Sequence, residues 1–174
     1  SKQFILNYLE NELYSLNRNG FYQVLYAEKE FSTTKKLHLN DEILECCFKG
    51  KIDRIDSTSN GLRLIDYKTG YVTKSDLTIS NMESIKTKNK ALQLLFYAML
   101  FLGNHKEHDE VYSNIVALSN TNSPVLELNY QNDFKFNNTH IQLFEKEIQL
   151  ILGEIISPDV PLFHNEASRF CSFC

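Results

Sequence analysis

The chain has 174 residues, 43% of them hydrophobic and 12% aromatic, and carries 18 Lys and Arg against 22 Asp and Glu, a formal net charge of −4. A chain of this length and apolar content can bury a substantial core in one domain, 1–174, and is neither disordered nor fibrous. The acidic balance gives nucleic-acid binding no support from bulk charge, although a bound metal would bring its own positive field.

Residues 2–18 read as a helix, with Phe4, Ile5, Tyr8, Leu9, Leu13 and Leu16 at helical spacing and Asn19-Gly20 as its stop. Residues 21–31 read as a strand, followed by a polar stretch over 35–40 that contains His38. Two further strands, 42–56 and 62–69, complete an antiparallel meander of three. A polar loop is expected over 70–87. Lys86, Lys88 and Lys90, around its end, read either as a groove tracking a nucleic-acid backbone or as a solvated loop.

Residues 88–103 form a helix that is apolar nearly all round and therefore buried, ending at Gly103-Asn104. Its polar exceptions, Gln93 and Tyr97, are four residues apart and share a face. Residues 111–119 and 125–130 read as strands around Ser123-Pro124, and 138–157 as an amphipathic helix with Ile141, Phe144, Ile148, Ile151 and Ile155 on one face. Together these elements predict an α/β sandwich around a mixed sheet.

The longest apolar run, 91–102, is interrupted by Gln93 and falls short of the roughly 20 residues a membrane span needs. No signal peptide is evident, and four cysteines that include the adjacent Cys46-Cys47 do not form a secreted disulfide framework. No membrane partner and a cytoplasmic location are the expectations that follow.

The chemistry concentrates in 50–70, GKIDRIDSTSNGLRLIDYKTG. Asn60-Gly61 is the residue pair of a type I′ hairpin turn. Closed by Ser59 and Leu62, such a turn sets Asp53 opposite Lys68 and Ile55 opposite Asp66, with Asp53, Asp66 and Lys68 on one face. Opposed Cβ atoms lie roughly 4.5–5.5 Å apart and diagonal ones about 7–8 Å, so two carboxylates can share a divalent cation. Ile52, Ile55, Leu62, Leu64 and Ile65 make the strands apolar, and charges among them are costly without a partner or a metal. Oxygen ligands without His or Cys suit Mg²⁺ or Mn²⁺, and a neighbouring lysine supplies positive charge where a phosphodiester transition state gains negative charge.

The run 50–56 (GKIDRID), then 65–70 (IDYKTG), then Gln93 followed four residues later by Tyr97, resembles the PD-(D/E)XK nuclease superfamily, and within it the RecB-type branch of helicase-nucleases and CRISPR-associated exonucleases. The resemblance covers about residues 20–174. It implies a restriction-endonuclease-like core, Asp53 and Asp66 as metal ligands completed by the Tyr67 carbonyl, and Lys68 as the catalytic lysine. It also places Gln93 and Tyr97 beside the active site, in contact with DNA or with the surroundings of the metal. The implied activity is metal-dependent DNA hydrolysis in repair or recombination, most simply as an exonuclease, with Mg²⁺ or Mn²⁺ as cofactor. The implied partners are single-stranded or duplex DNA ends and a helicase module in the same chain or a partner subunit.

One departure is plain. Members of this branch carry an upstream helical His at the metal site, and here no His precedes His38. Either the chain is a piece of a longer protein, as its Ser1-Lys2 start suggests, or it lacks that ligand; Glu28 or Glu30 is the available substitute carboxylate. A catalytically silent binding module of the same fold is the rival reading. The ending from Arg169 to Cys174 resembles the cysteine-rich tail of RecB-type domains, but Cys171 and Cys174 lack two suitably placed partners, so no iron-sulfur cluster is expected.

Overall fold

A computed structural model describes residues 2–19, 22–39, 42–120, 124–157 and 159. Its helices and strands are α1 (Lys2–Asn19), β1 (Tyr22–Leu39), β2 (Glu42–Thr58), β3 (Gly61–Lys68), α2 (Lys74–Leu77), β4 (Thr78–Ile79), α3 (Asn89–Asn104), β5 (Glu110–Ala117), β6 (Val125–Glu127), β7 (Asn129–Tyr130), β8 (Lys135–Asn137) and α4 (Asn138–Ile156).

The main sheet runs β1-β2-β3-β5-β6, with β8 also on β5. β1, β2 and β3 are antiparallel, whereas β3 and β5 are parallel and joined through α3, which makes the sheet mixed. α3 and α4 cover one face over a core that includes Ile52, Ile55, Leu64, Leu94, Leu95, Phe101 and Phe144. α1 lies on the other face, where Tyr8 packs with Ile65 and Val116. This is the mixed sheet with flanking helices expected of a restriction-endonuclease-like core.

Several elements depart from the sequence reading. β1 continues to Leu39 and includes the stretch read as a polar segment around His38. The reason is alternation: Phe31 and Leu37 are buried, Lys35 pairs with Glu145 of α4 at 2.8 Å, and the His38 carbonyl accepts from Gln149 Nε2 at 2.6 Å. Neighbouring residues of the same strand face solvent, so hydropathy averaged over the stretch hides the strand. The 70–87 region is also ordered. Thr73 caps α2 through a capping box with Asp76, and a 3₁₀ turn, Met82–Thr87, buries Met82 and Ile85.

The hairpin turn lies one residue earlier than predicted. Thr58 pairs with Gly61, so Ser59 and Asn60 form the loop, and Gly61 alone takes positive φ, 126°. Thr58 Oγ1 accepts from the Asn60 N–H at 3.2 Å and donates to the Gly61 carbonyl at 2.7 Å. The consequence is a register two residues from the expected one, with Arg54 opposite Ile65 and Ile55 opposite Leu64. A shift of two preserves side-chain faces. Asp53 is therefore not opposite Lys68; continued one step past Arg54 and Ile65, the register sets Asp53 across from Asp66.

Candidate active site

The β2–β3 ladder stops at Arg54 and Ile65 although both strands continue, β2 along β1 and β3 along β5. Where the two strands part, the Asp53 carboxylate takes over from the backbone. Its Oδ2 accepts the Tyr67 N–H at 2.9 Å. Asp66 lies beside it, only 2% exposed.

Lys68 Nζ sits 2.8 Å from Asp66 Oδ2, so the ion pair joins Lys68 to Asp66 and not to Asp53. The register explains this, because Asp66 and Lys68 are two apart on one strand face. Gln93, from α3, closes the arrangement. Its Oε1 accepts from Lys68 Nζ at 2.9 Å, and its Nε2 donates to Asp66 Oδ1 at 3.0 Å and to the Tyr97 hydroxyl at 2.8 Å. The buried, apolar α3 thus delivers Gln93 to the Asp66 carboxylate, with the Tyr97 hydroxyl bonded to the same amide.

Electrostatics follow from burial. Removal from water pushes the Asp66 carboxyl above its ordinary value, with Asp53's charge adding to the rise and Lys68 opposing it. Burial likewise raises the Tyr97 hydroxyl, opposed by the Gln93 hydrogen bond and reinforced by Asp66, Asp53 and Glu28.

The donor set suits a hard divalent cation. Apart from the Lys68 ion contact, buried Asp66 Oδ2 has no hydrogen-bond donor, which leaves acceptor capacity beside Asp53. Among the described residues no three His, Cys, Asp or Glu side chains gather closely enough to hold a metal. Glu28 lies across from Asp53, between the pairs Ala27–Arg54 and Lys29–Ile52, with φ at 52°. Its carboxylate is ion-paired with Lys51, and it is not gathered with Asp53 and Asp66. Glu30 pairs in register with Lys51.

The three lysines do not form a free basic groove. Lys86 is paired with Glu154 at 2.9 Å, Lys88 donates to the Ser75 carbonyl at 2.6 Å, and Lys90 sits 3.3 Å from Asp76. Cys171 and Cys174 lie outside the described residues. Cys47 is exposed and Cys46 half-buried, as alternation along β2 requires.

Sequence reasoning passed over a second polar cluster on the opposite face. Asp56, fully buried, accepts from Arg54 Nε at 2.7 Å and from Arg63 Nη2 at 2.8 Å, and Glu12 of α1 closes on both arginines. The signal was present, since Arg54 and Asp56 alternate with Ile55 in the same apolar strand.

No described helix is long and apolar enough to cross a membrane. The model of the PD-(D/E)XK nuclease superfamily matches residues 3–174. The RecBCD enzyme subunit RecB of Borreliella burgdorferi is 31% identical over 100 residues, a match covering 51% of this chain and 9% of that protein. This chain therefore spans a small part of that relative's length. The crystal structure of SSO0001 aligns over 91% of this chain and 69% of its own at 18% identity and a TM-score of 0.30, a likeness too loose to carry any argument. With the match over nearly its whole length and the Asp53, Asp66 and Lys68 motifs gathered at the parting of β2 and β3, the chain belongs to the PD-(D/E)XK nuclease superfamily.

Proposed function

We propose that this chain is a divalent-metal-dependent DNA nuclease domain that hydrolyses phosphodiester bonds with an activated water and no covalent enzyme intermediate. The observation that carries this reading is the linked set Asp66, Lys68, Gln93 and Tyr97 at the point where β2 and β3 diverge beside Asp53. Asp53, Asp66 and the Tyr67 carbonyl would hold Mg²⁺ or Mn²⁺. A cation bound there acidifies a water and neutralises a phosphate oxygen. Lys68, held by Gln93 and Asp66 with its side chain 31% exposed, would supply positive charge to an incoming phosphate, where it stabilises growing negative charge or orients the attacking water. Gln93 sets the position of both the lysine and the carboxylate. An exonuclease of DNA ends, working with a helicase module of the same chain or a partner subunit in the cytoplasm, is the finer form of this proposal, and the RecB likeness supports it.

The test is a Mg²⁺ and Mn²⁺ titration with single- and double-stranded DNA. Chelation with EDTA should abolish cleavage, and either ion should restore it. Cleavage that persists in EDTA would sink the proposal. A silent DNA- or partner-binding module is favoured by one observation, that no third carboxylate or His joins the pair among the described residues. That module would bind DNA without cutting it at any metal concentration.

Gln93→Ala should lower the cleavage rate about tenfold, because two hydrogen bonds that fix Lys68 and Asp66 are lost. Tyr97→Phe should have a smaller effect, since only the hydroxyl bonded to Gln93 goes. Melting should shift by no more than about 2–4 °C in either variant. Large melting losses at unchanged rate in both would mark the pair as core residues only.

A further inference from the structure

We propose that the buried charge cluster on the α1 face positions the metal ligands on the α3 face, acting through the Tyr67 side chain. This inference rests on the two-carboxylate metal reading above.

The argument starts from strand alternation. On β2 the ligand Asp53 is followed by Arg54; on β3 the ligand Asp66 is followed by Tyr67. Successive side chains point to opposite faces, so each ligand has a neighbour anchored behind the sheet. Those neighbours meet. Arg54 Nη1 donates to the Tyr67 hydroxyl at 3.2 Å and to the Tyr8 hydroxyl at 3.4 Å, and the two phenol oxygens are 3.3 Å apart. Tyr8 and Tyr67 also pack edge to face, with ring centres 6.0 Å apart.

Arg54 has little freedom to adjust. Its Nε is bonded to Asp56, its Nη2 faces Glu12 at 3.4 Å, and its guanidinium lies over the Tyr22 ring at 5.1 Å. A planar guanidinium with each nitrogen engaged holds one orientation. Two arginines and two carboxylates balance in charge, yet their desolvation offsets most of their attraction, so the cluster is a poor source of stability. What it supplies is a fixed phenol. The same residue's peptide N–H holds Asp53 Oδ2 at 2.9 Å across the gap where the ladder has ended. Tyr67 thereby ties Asp53 to the strand carrying Asp66, and the cluster behind fixes Tyr67. Tyr67 and Arg54 are positioning residues in this scheme.

The experiment is Mn²⁺ titration calorimetry on the full chain, with thermal melting of the chelator-treated protein alongside, for wild type, Tyr67→Phe and Arg54→Lys. Phenylalanine keeps the ring packing and loses only the hydroxyl; lysine cannot reach Asp56 and Tyr67 together. Both variants should bind Mn²⁺ about tenfold more weakly or worse, the usual cost of removing a group that orients a metal ligand. A merely structural role would lower the melting temperature without changing the affinity of the folded protein. If Arg54→Lys fails to fold, Tyr67→Phe alone gives the answer. Wild-type binding with variants within twofold of it would overturn this inference and leave the metal centre standing. A wild type that binds no Mn²⁺ would remove the metal centre, and this inference with it.

Discussion

Asp66→Ala should abolish divalent-metal binding and DNA cleavage together. Among the described residues Asp66 and Asp53 are the two carboxylates at the site, and a weakly held hard cation depends on the count of charged oxygens around it. The loss in affinity should exceed about 100-fold, beyond what groups that only orient a ligand cost. Calorimetry reads it directly. Melting reads it independently, because a ligand at 100 times its Kd stabilises the folded state by about 2.7 kcal/mol, an increment the variant should lack. Equal metal affinity in the two proteins would remove Asp66 from the site.

The same residue gives a pH signature. Burial raises its carboxyl above the ordinary value of 3.8. In metal-free protein the folded state then holds a proton that the unfolded chain has released, so stability from this group is present at low pH and declines as pH rises from 3.8 through the raised value. Metal binding runs the other way, since the ligand must be ionised, and should weaken as pH falls through that same raised value. Asp66→Asn should remove this group's pH dependence from the stability of the metal-free protein.

Lys68→Met should remove turnover while leaving metal affinity equal or slightly higher. Losing a charge aimed at a developing oxyanion costs about 10²–10³ in rate. The geometry explains why affinity should not fall. Lys68 Nζ is 2.8 Å from Asp66 Oδ2, the oxygen with no other donor, so the ammonium competes with a cation for it. Lys68 also opposes the burial that raises Asp66, and without it the acid limb of metal binding should move to higher pH. Single-turnover rates at saturating Mn²⁺, set beside calorimetry, test both halves. A variant keeping more than a tenth of the wild-type rate would take the lysine out of the mechanism.

The sequence by itself singled out the residues of the candidate site and determined most of the elements. Asp53, Asp66 and Lys68 stand out in strands otherwise made of Ile and Leu, and their same-face relation depends only on parity, so it survived a turn misplaced by one residue and a register displaced by two. α3 was legible because an all-round apolar helix must be buried, and its Gln93 and Tyr97 are conspicuous there. Non-local pairing was not legible. Which residue closes the turn was settled by Thr58, whose hydroxyl bridges both sides of the loop, and that choice put Asp53 across from Asp66 and left Lys68 to its own strand neighbour. The far end of β1 is a strand because α4 supplies partners for Lys35 and for the His38 carbonyl, contacts more than 100 residues away for which local hydropathy carries no trace. Only the tertiary structure could bring Glu12 and Tyr8 onto Arg54, Arg63 and Tyr67, because a buried charge is tolerated where its partners converge, and those partners come from three separate segments of the chain.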